Sequence, residues 1–479
     1  MTAWWPPVVL HVAVCTAAGG TLLAAFRLPR DALVHNWAGC YLAGQLLALV
    51  LVLSTGFLPW RLPAVAMVLL VVAAAGAWHG LRRGRAAVRA SWRGDALCLA
   101  VAALLFPQLV LAVLELPPCE WDARSIWLFH GKGLLHWGGV SPAFFTDQRY
   151  WWSSLDYPLL IPAHAALCCT WRGEWQDQTA VGFLLFDAFA FARLLWLLLR
   201  RRGLGTVAAL AVAVLYFAQG TPSLFYGESY VTGQADYHYA TPLALAVLAL
   251  ALPAAQRSVP LAVLLAARAA TTKSEGAAYV LAATLVAAAW WAACHWRGPQ
   301  RPRVRELLAA HGRWLLLAAC CAALPVLLWS AWKLRHGVVG GLHLFARATA
   351  PGLLWEMLVE RGAVVARTLA AMLHGNHTTW LLLAWLALFA MARRGGAARS
   401  LRPAERLTLL ATAGGICAPF ATYVLTPHDA EYHMATSAAR LLFLPHVLLF
   451  VACVFRLEVL LADGRPAAAG AAAGAAAGS

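Results

Sequence analysis

The chain has 479 residues, 62% of them hydrophobic and 12% charged, with a formal net charge of +16. Soluble domains carry roughly a quarter charged residues, so this composition excludes a soluble globular protein and predicts an all-α polytopic membrane protein. The basic excess falls in short Arg clusters between apolar runs rather than along one solvated face, which excludes nucleic acid as a partner and makes the clusters topology signals.

A spanning helix needs about 20 mostly apolar residues. Such runs lie near 6–26, 34–57, 62–80, 96–116, 178–199, 204–219, 239–253, 259–270, 277–294, 314–332, 378–392, 406–425 and 438–457, thirteen spans in all, the eighth short enough to be re-entrant. The chain opens on MTAWWPP, without the basic leader of a cleavable signal peptide, and enters the first span directly. Arg-rich connectors follow the third, fifth, ninth and eleventh spans (around Arg82, Arg200, Arg301 and Arg393), and the positive-inside rule places all four in the cytoplasm. The opposite, outward side receives residues 117–177, 220–238, 273–276, 335–377 and 426–437, together with the N-terminus. Of the 21 carboxylates, 14 fall on that side, six are cytoplasmic and Asp187 lies inside a span. Acids do not set topology, so their gathering marks a working surface independently of the arginines.

Within the first long outward loop, Pro117 and Pro118 end a span directly ahead of Glu120-Trp121-Asp122. Two carboxylates one residue apart ligate a divalent cation, or one serves as general base while the other sets its pKa; a solvated helix cap is the plainer alternative. Arg124, His130 and Lys132 follow on a helical period, an acid, base and aromatic mixture suited to a sugar and a phosphate. Further on, Trp151 and Trp152 precede the turn Asp156-Tyr157-Pro158, and paired aromatics serve either as interface anchors or as stacking surfaces for a pyranose. Most of the 11 cysteines sit in apolar runs as small hydrophobes; Cys119, Cys168 and Cys169 alone are placed to pair.

The 220–238 loop carries Glu228 and Asp236, many tyrosines and no Lys or Arg, a composition for hydroxylated rather than anionic ligands. Lys273-Ser274-Glu275-Gly276 breaks two apolar segments, which reads either as a local ion pair or as a lipid-phosphate contact by Lys273. Residues 335–377 are too polar to span and are expected as one or two helices along the membrane surface. His374 and His377 have no acids beside them and read as interfacial. His428 and Asp429 lie in the last outward loop, which leads to Arg440 at headgroup level beside Thr436 and Ser437. Residues 458–479 are an Ala/Gly-rich tail expected to be disordered. No internal repeat, nucleotide-binding loop, HExxH, GxSxG or CxxC is present.

Taken together, the EWD motif, the surrounding WDARSIWLFHGKGLL, the DYPLLIP turn, the KSEG turn and TPHDAEYHMATSAARLL resemble bacterial integral-membrane glycosyltransferases of the GT-C superfold, over roughly residues 115–457. The resemblance implies a hexosyl- or pentosyltransferase of the bacterial inner membrane, with an active site facing the periplasm or exterior. Its donor would be a polyprenyl-phosphate-linked sugar and its acceptor a glycan, lipid or protein hydroxyl in the cell envelope. It implies Asp122 as the essential acidic residue and Glu120 as its companion, acting as catalytic pair or as ligands of Mg or Mn. By location, Arg440, Lys273, Lys132 and Arg124 are the donor-phosphate cations, and Asp156, Tyr157, Trp151, Trp152, Glu228, Asp236, His428 and Asp429 the substrate contacts. The expected organisation is N-terminal transmembrane helices over 1–95, a catalytic membrane domain over 96–457 and the tail. Three spans before the one preceding the acidic loop, and no large soluble C-terminal domain, depart from the simplest plan of that family. An O-antigen-type ligase or polymerase and a secondary transporter are the rival functions, with a scaffold behind them.

Overall fold

The structure, a computed structural model, describes residues 3–26, 31, 33–83, 121–219, 235–252, 256, 258–282, 284, 316, 319–338, 352–375, 378–394, 401, 403–425, 429–432, 434 and 441–463. Among these it is helical, without a strand. Two compact units divide the chain, Met1–Pro351 and Gly352–Ser479.

In the first unit, α1 (Trp5–Ala25) starts on two prolines, whose missing N–H groups are tolerated in a first turn. Asn36 caps α2 (Trp37–Ser54), its side-chain oxygen accepting from the N–H groups of Ala38 and Gly39. α1 and α2 cross backbone to backbone. A Cβ on Gly19 would stand 1.9 Å from the Cys40 carbonyl oxygen, and one on Gly44 would stand 1.8 Å from that of Cys15. Small residues at a crossing are how apolar helices gain contact where no hydrophobic drive separates helix from lipid. α3 (Leu62–Arg83) packs on α1, and a π-turn at Ala123–Trp127 leads into α4 (Leu128–Trp137), which Gly138 closes at φ 74°.

The pair α5 (Leu160–Arg172) and α6 (Asp177–Arg201) packs against α1 and α2. After α7 (Thr206–Gln219), α8 (Asp236–Leu250) and α9 (Val259–Thr272) form an antiparallel pair. α9 stops at Lys273, whose extended backbone breaks the helix for one residue before it resumes at 274–282. α10 (Leu324–His336) packs on α2 and α9. The second unit holds α11 (Leu353–Gly375), α12 (Thr378–Arg394), α13 (Pro403–Leu425) and α14 (Phe443–Asp463), with α14 against both α12 and α13.

Among the described residues five helices are long and apolar enough to cross a membrane: Trp5–Ala25, Trp37–Ser54, Asp177–Arg201, Glu405–Leu425 and Phe443–Leu460. The span expected at 96–116 lies outside the described residues. α14 runs to Asp463, so residues 458–463 are helical rather than part of a disordered tail; Val459 is buried and continues the apolar stripe of that helix.

Of the four Arg-rich connectors, the one at Arg200–Arg202 meets two other loops. Arg201 pairs with Asp31 at 2.6 Å and the Ser258 hydroxyl donates to the same carboxylate, tying three loops together. At the other end of the bundle Lys273 pairs with Asp236, and α10 reaches the backbone of Asp156.

Candidate functional site

Asp156 and Tyr157 are held by the turn that follows Trp152. Ser154 takes a left-handed conformation (φ 50°), uncommon for a residue with a Cβ, and its carbonyl accepts from the Tyr157 N–H at 3.0 Å. The Asp156 carbonyl is gripped from α10 by the Trp329 indole N–H at 3.0 Å and by the Lys333 ammonium at 3.1 Å. Tyr157 stacks on the buried Trp127 ring, with centroids 5.4 Å apart. Burial, together with the carboxylates of Glu275, Asp156 and Asp122, pushes the Tyr157 phenol above its ordinary pKa, against the opposing charge of Lys273. Four of the sequence-predicted residues (Asp122, Asp156, Tyr157 and Lys273) therefore share one electrostatic neighbourhood.

Lys273 itself is buried, 2.7 Å from Asp236 and 3.4 Å from Glu275. The sequence left its role open between a local ion pair and a phosphate contact. The geometry supplies the ion pair, with two acids sharing one ammonium, as burial of a charge demands. Asp236 lies in the same pair and is likewise buried.

Around Asp122 an aromatic wall forms. Trp121, 73% exposed, lies 6.5 Å from Trp152, which packs on Phe129 at 5.1 Å. The Trp152 indole donates to the Arg149 carbonyl, and Arg149 clamps Asp147 with two N–H groups, holding that carboxyl below its usual range. Trp151 is the most exposed of the wall at 78%.

Arg124, His130 and Lys132 do not form the single cluster that their spacing predicts. Arg124 and Lys132 are exposed, while His130 is wholly buried with its Nε2 2.9 Å from the Ser153 hydroxyl. Lys132 lies 3.6 Å from Asp177 and 5.5 Å over the Trp175 ring. The reason is that the segment changes from a π-turn to an α-helix at Leu128 and packs one side on α5.

Two features were missed. Lys333 follows the W-x-x-W pattern near the end of α10; burial pulls its ammonium below the ordinary lysine value, against the pull of Asp156. The second is an open cleft of about 350 Å³ between the α2–α3 and α4 turns, lined by Thr55, Trp60, Arg61, Trp137 and Ser141. Gly56 in its floor lies against the Trp332 ring, which stacks on Trp329 at 5.3 Å, so two stacked indoles link the cleft to the Asp156 carbonyl.

Glu120, Glu228, His428 and Arg440 lie outside the described residues. Asp429 belongs to the second unit. Among the described residues no three ligating side chains gather at Asp122. Cys168 and Cys169 are free and buried.

Deeper in the first unit lies a second polar group. The Asp187 carboxylate accepts from Gln45 at 2.9 Å and from Arg268, and His238 approaches it at 3.5 Å; all four side chains are fully buried. Above it, His11 Nε2 lies 2.9 Å from His164 Nδ1 and 3.6 Å from Cys15 Sγ. No family profile, no curated protein and no solved structure matches the chain.

Proposed function

We propose that the chain is a thirteen-span glycosyltransferase of the GT-C kind that moves a sugar from a polyprenyl-phosphate donor to a hydroxyl acceptor on the outer face of the bacterial inner membrane. The observation that carries the reading is the grip of Lys333 on the Asp156 carbonyl and the charge of Lys273 near Tyr157, beside a tryptophan wall that starts at Trp121, next to Asp122. Acid, cation and aromatic are the three things such a reaction needs.

In the proposed step Asp122 takes the proton of the acceptor hydroxyl as its oxygen bonds to the anomeric carbon. The carbon–oxygen bond to the lipid phosphate breaks, the phosphate keeps the electron pair, and the anomeric centre inverts. A phosphate leaving group needs no acid; it needs positive charge in a partly dry site. Lys273 is shared between two carboxylates, so a phosphate would compete for it. Lys333 has no carboxylate within ion-pair distance among the described residues, and the proposal therefore gives it a larger share of that role than the sequence did. The cleft between Trp60 and Trp137 suits an acceptor glycan, whose rings stack on indoles.

The test is transfer of radiolabelled sugar from a panel of polyprenyl-phosphate donors to membrane acceptors. Loss of the general base should cost about 10² to 10⁴ in rate in Asp122→Asn. Lys333→Gln should slow transfer as well, with the exposed Arg394→Gln as the unaffected reference. Transfer at the wild-type rate by Asp122→Asn would refute the assignment, and chelator sensitivity would restore a metal version through Glu120.

A secondary transporter is the second reading, supported by the buried Asp187, Arg268 and His238 inside the bundle. Three partners around one carboxylate fit a fixed pin better than a group that loads and releases. Solute uptake by proteoliposomes that Asp187→Asn abolishes would favour transport.

A further inference from the structure

We infer that His11, Cys15 and His164 form a site for one monovalent thiophilic cation of the Cu(I) class, separate from the transfer site. His11 and Cys15 are four residues apart and so lie on one face of α1; His164 reaches them from α5. All three side chains are completely buried, and their ligating atoms lie within 4.8 Å of one another.

Geometry comes first. Metal–nitrogen bonds of about 2.0 Å and metal–sulfur bonds of about 2.3 Å at tetrahedral angles set edges of roughly 3.3 Å between nitrogens and 3.6 Å between nitrogen and sulfur. The Cys15 to His11 edge is 3.6 Å already, and the two imidazoles, 2.9 Å apart, need open by only a few tenths of an ångström. His164 is also set correctly for a ligand. Its Nε2 lies 3.2 Å from the Gln45 carbonyl, which can only accept, so Nε2 carries the proton and Nδ1 turns a lone pair toward His11 and Cys15. A ligating histidine is oriented in this way by a carbonyl on its far nitrogen.

Charge then selects the ion. A thiolate and two neutral imidazoles around a monovalent cation sum to zero, whereas a divalent ion would leave a net positive charge in an apolar interior. The nearest other charges, Asp187 and Arg268, already pair with each other. Thiolate and imidazole are also the donors that a soft d¹⁰ ion prefers.

Loading releases the Cys15 thiol proton to solvent. The proton on His11 Nε2 moves to Nδ1, where the long 3.4 Å contact from the Trp171 indole gives way. The metal enters already as Cu(I), so no electron is transferred.

The experiment is anaerobic titration of the purified full-length chain in detergent with Cu(I), in competition with a chromophoric Cu(I) chelator. One tightly held equivalent is expected, falling to none in Cys15→Ser and in His164→Gln but kept in Cys453→Ser, whose thiol lies in the second unit. Should the first two variants fail to fold, X-ray absorption on copper-loaded wild type decides: one sulfur and two nitrogen neighbours are required. No Cu(I) equivalent, a shell without sulfur, undiminished binding by a folded Cys15→Ser, or retention of zinc alone would each overturn the site. None of these outcomes bears on sugar transfer.

Discussion

His130 lies between Ser153 and the rings of Phe144 and Phe145, fully buried. Burial pushes its imidazole down to about 3, against a hydrogen bond to the Ser153 carbonyl that pulls the other way. The folded chain therefore holds His130 neutral while the unfolded chain protonates it near its ordinary value. Stability is complete above about pH 6.5 and falls, by up to roughly 1.4 kcal/mol per pH unit from this one group, as acid drives toward the folded value. His130→Gln should flatten the decline in unfolding midpoint between about pH 7 and pH 5 relative to wild type; parallel declines would show that another group charges first. The residue also shows what the sequence could and could not reveal. The EWD and DYP motifs stood out in the sequence because acids beside tryptophans interrupt an otherwise apolar chain. That His130 turns inward while Lys132 turns out was not visible, because it depends on which side of α4 meets α5.

At the scale of elements, ion pairs are the pins of this fold. Glu405, one of the six carboxylates that the sequence counts as cytoplasmic, is fully buried and takes two 2.6 Å hydrogen bonds from Arg456, so that α13 and α14 are joined across their apolar faces. Removing one partner strands the other charge. Glu405→Gln should lower stability by about 3–5 kcal/mol, read as a loss of detergent-resistant folded protein on heating, and replacing both residues by apolar ones should recover most of it. A single variant as stable as wild type would mean that water reaches the pair. Most of the long helices were legible from hydropathy, beginning and ending within about six residues of the runs read from sequence; α4 and α5 were not, because they lie inside the stretch 117–177 that the sequence assigns to a loop, and α5 is buried against α1 and α2. The pairing of helices was not legible either, since Glu405 and Arg456 are far apart along the chain and nothing local links them.

For the whole molecule, polar contacts gather at the two ends of the first unit. Asp31, Arg201 and Ser258 meet at one end of the first unit, and Asp156, Asp236, Lys273 and Lys333 at the other. An aqueous, membrane-impermeant maleimide added to intact cells should label Trp151→Cys and spare Arg202→Cys, both judged against wild type, with lysis exposing the second. The reverse pattern would invert the proposed orientation and put the acidic loops in the cytoplasm. What composition could not foretell is the interior polar column of His11, His164, Gln45 and Asp187, because each of these residues stands alone in its own apolar run.

The glycine crossing of α1 and α2 has a consequence for traffic. Where two backbones touch, there is no crevice for an acyl chain, and the joint cannot part without exposing peptide groups to hydrocarbon. An acyl chain in the bilayer is thus turned away along that seam, and the lipid donor of the proposed reaction would have to reach the charged end of the bundle past other helices.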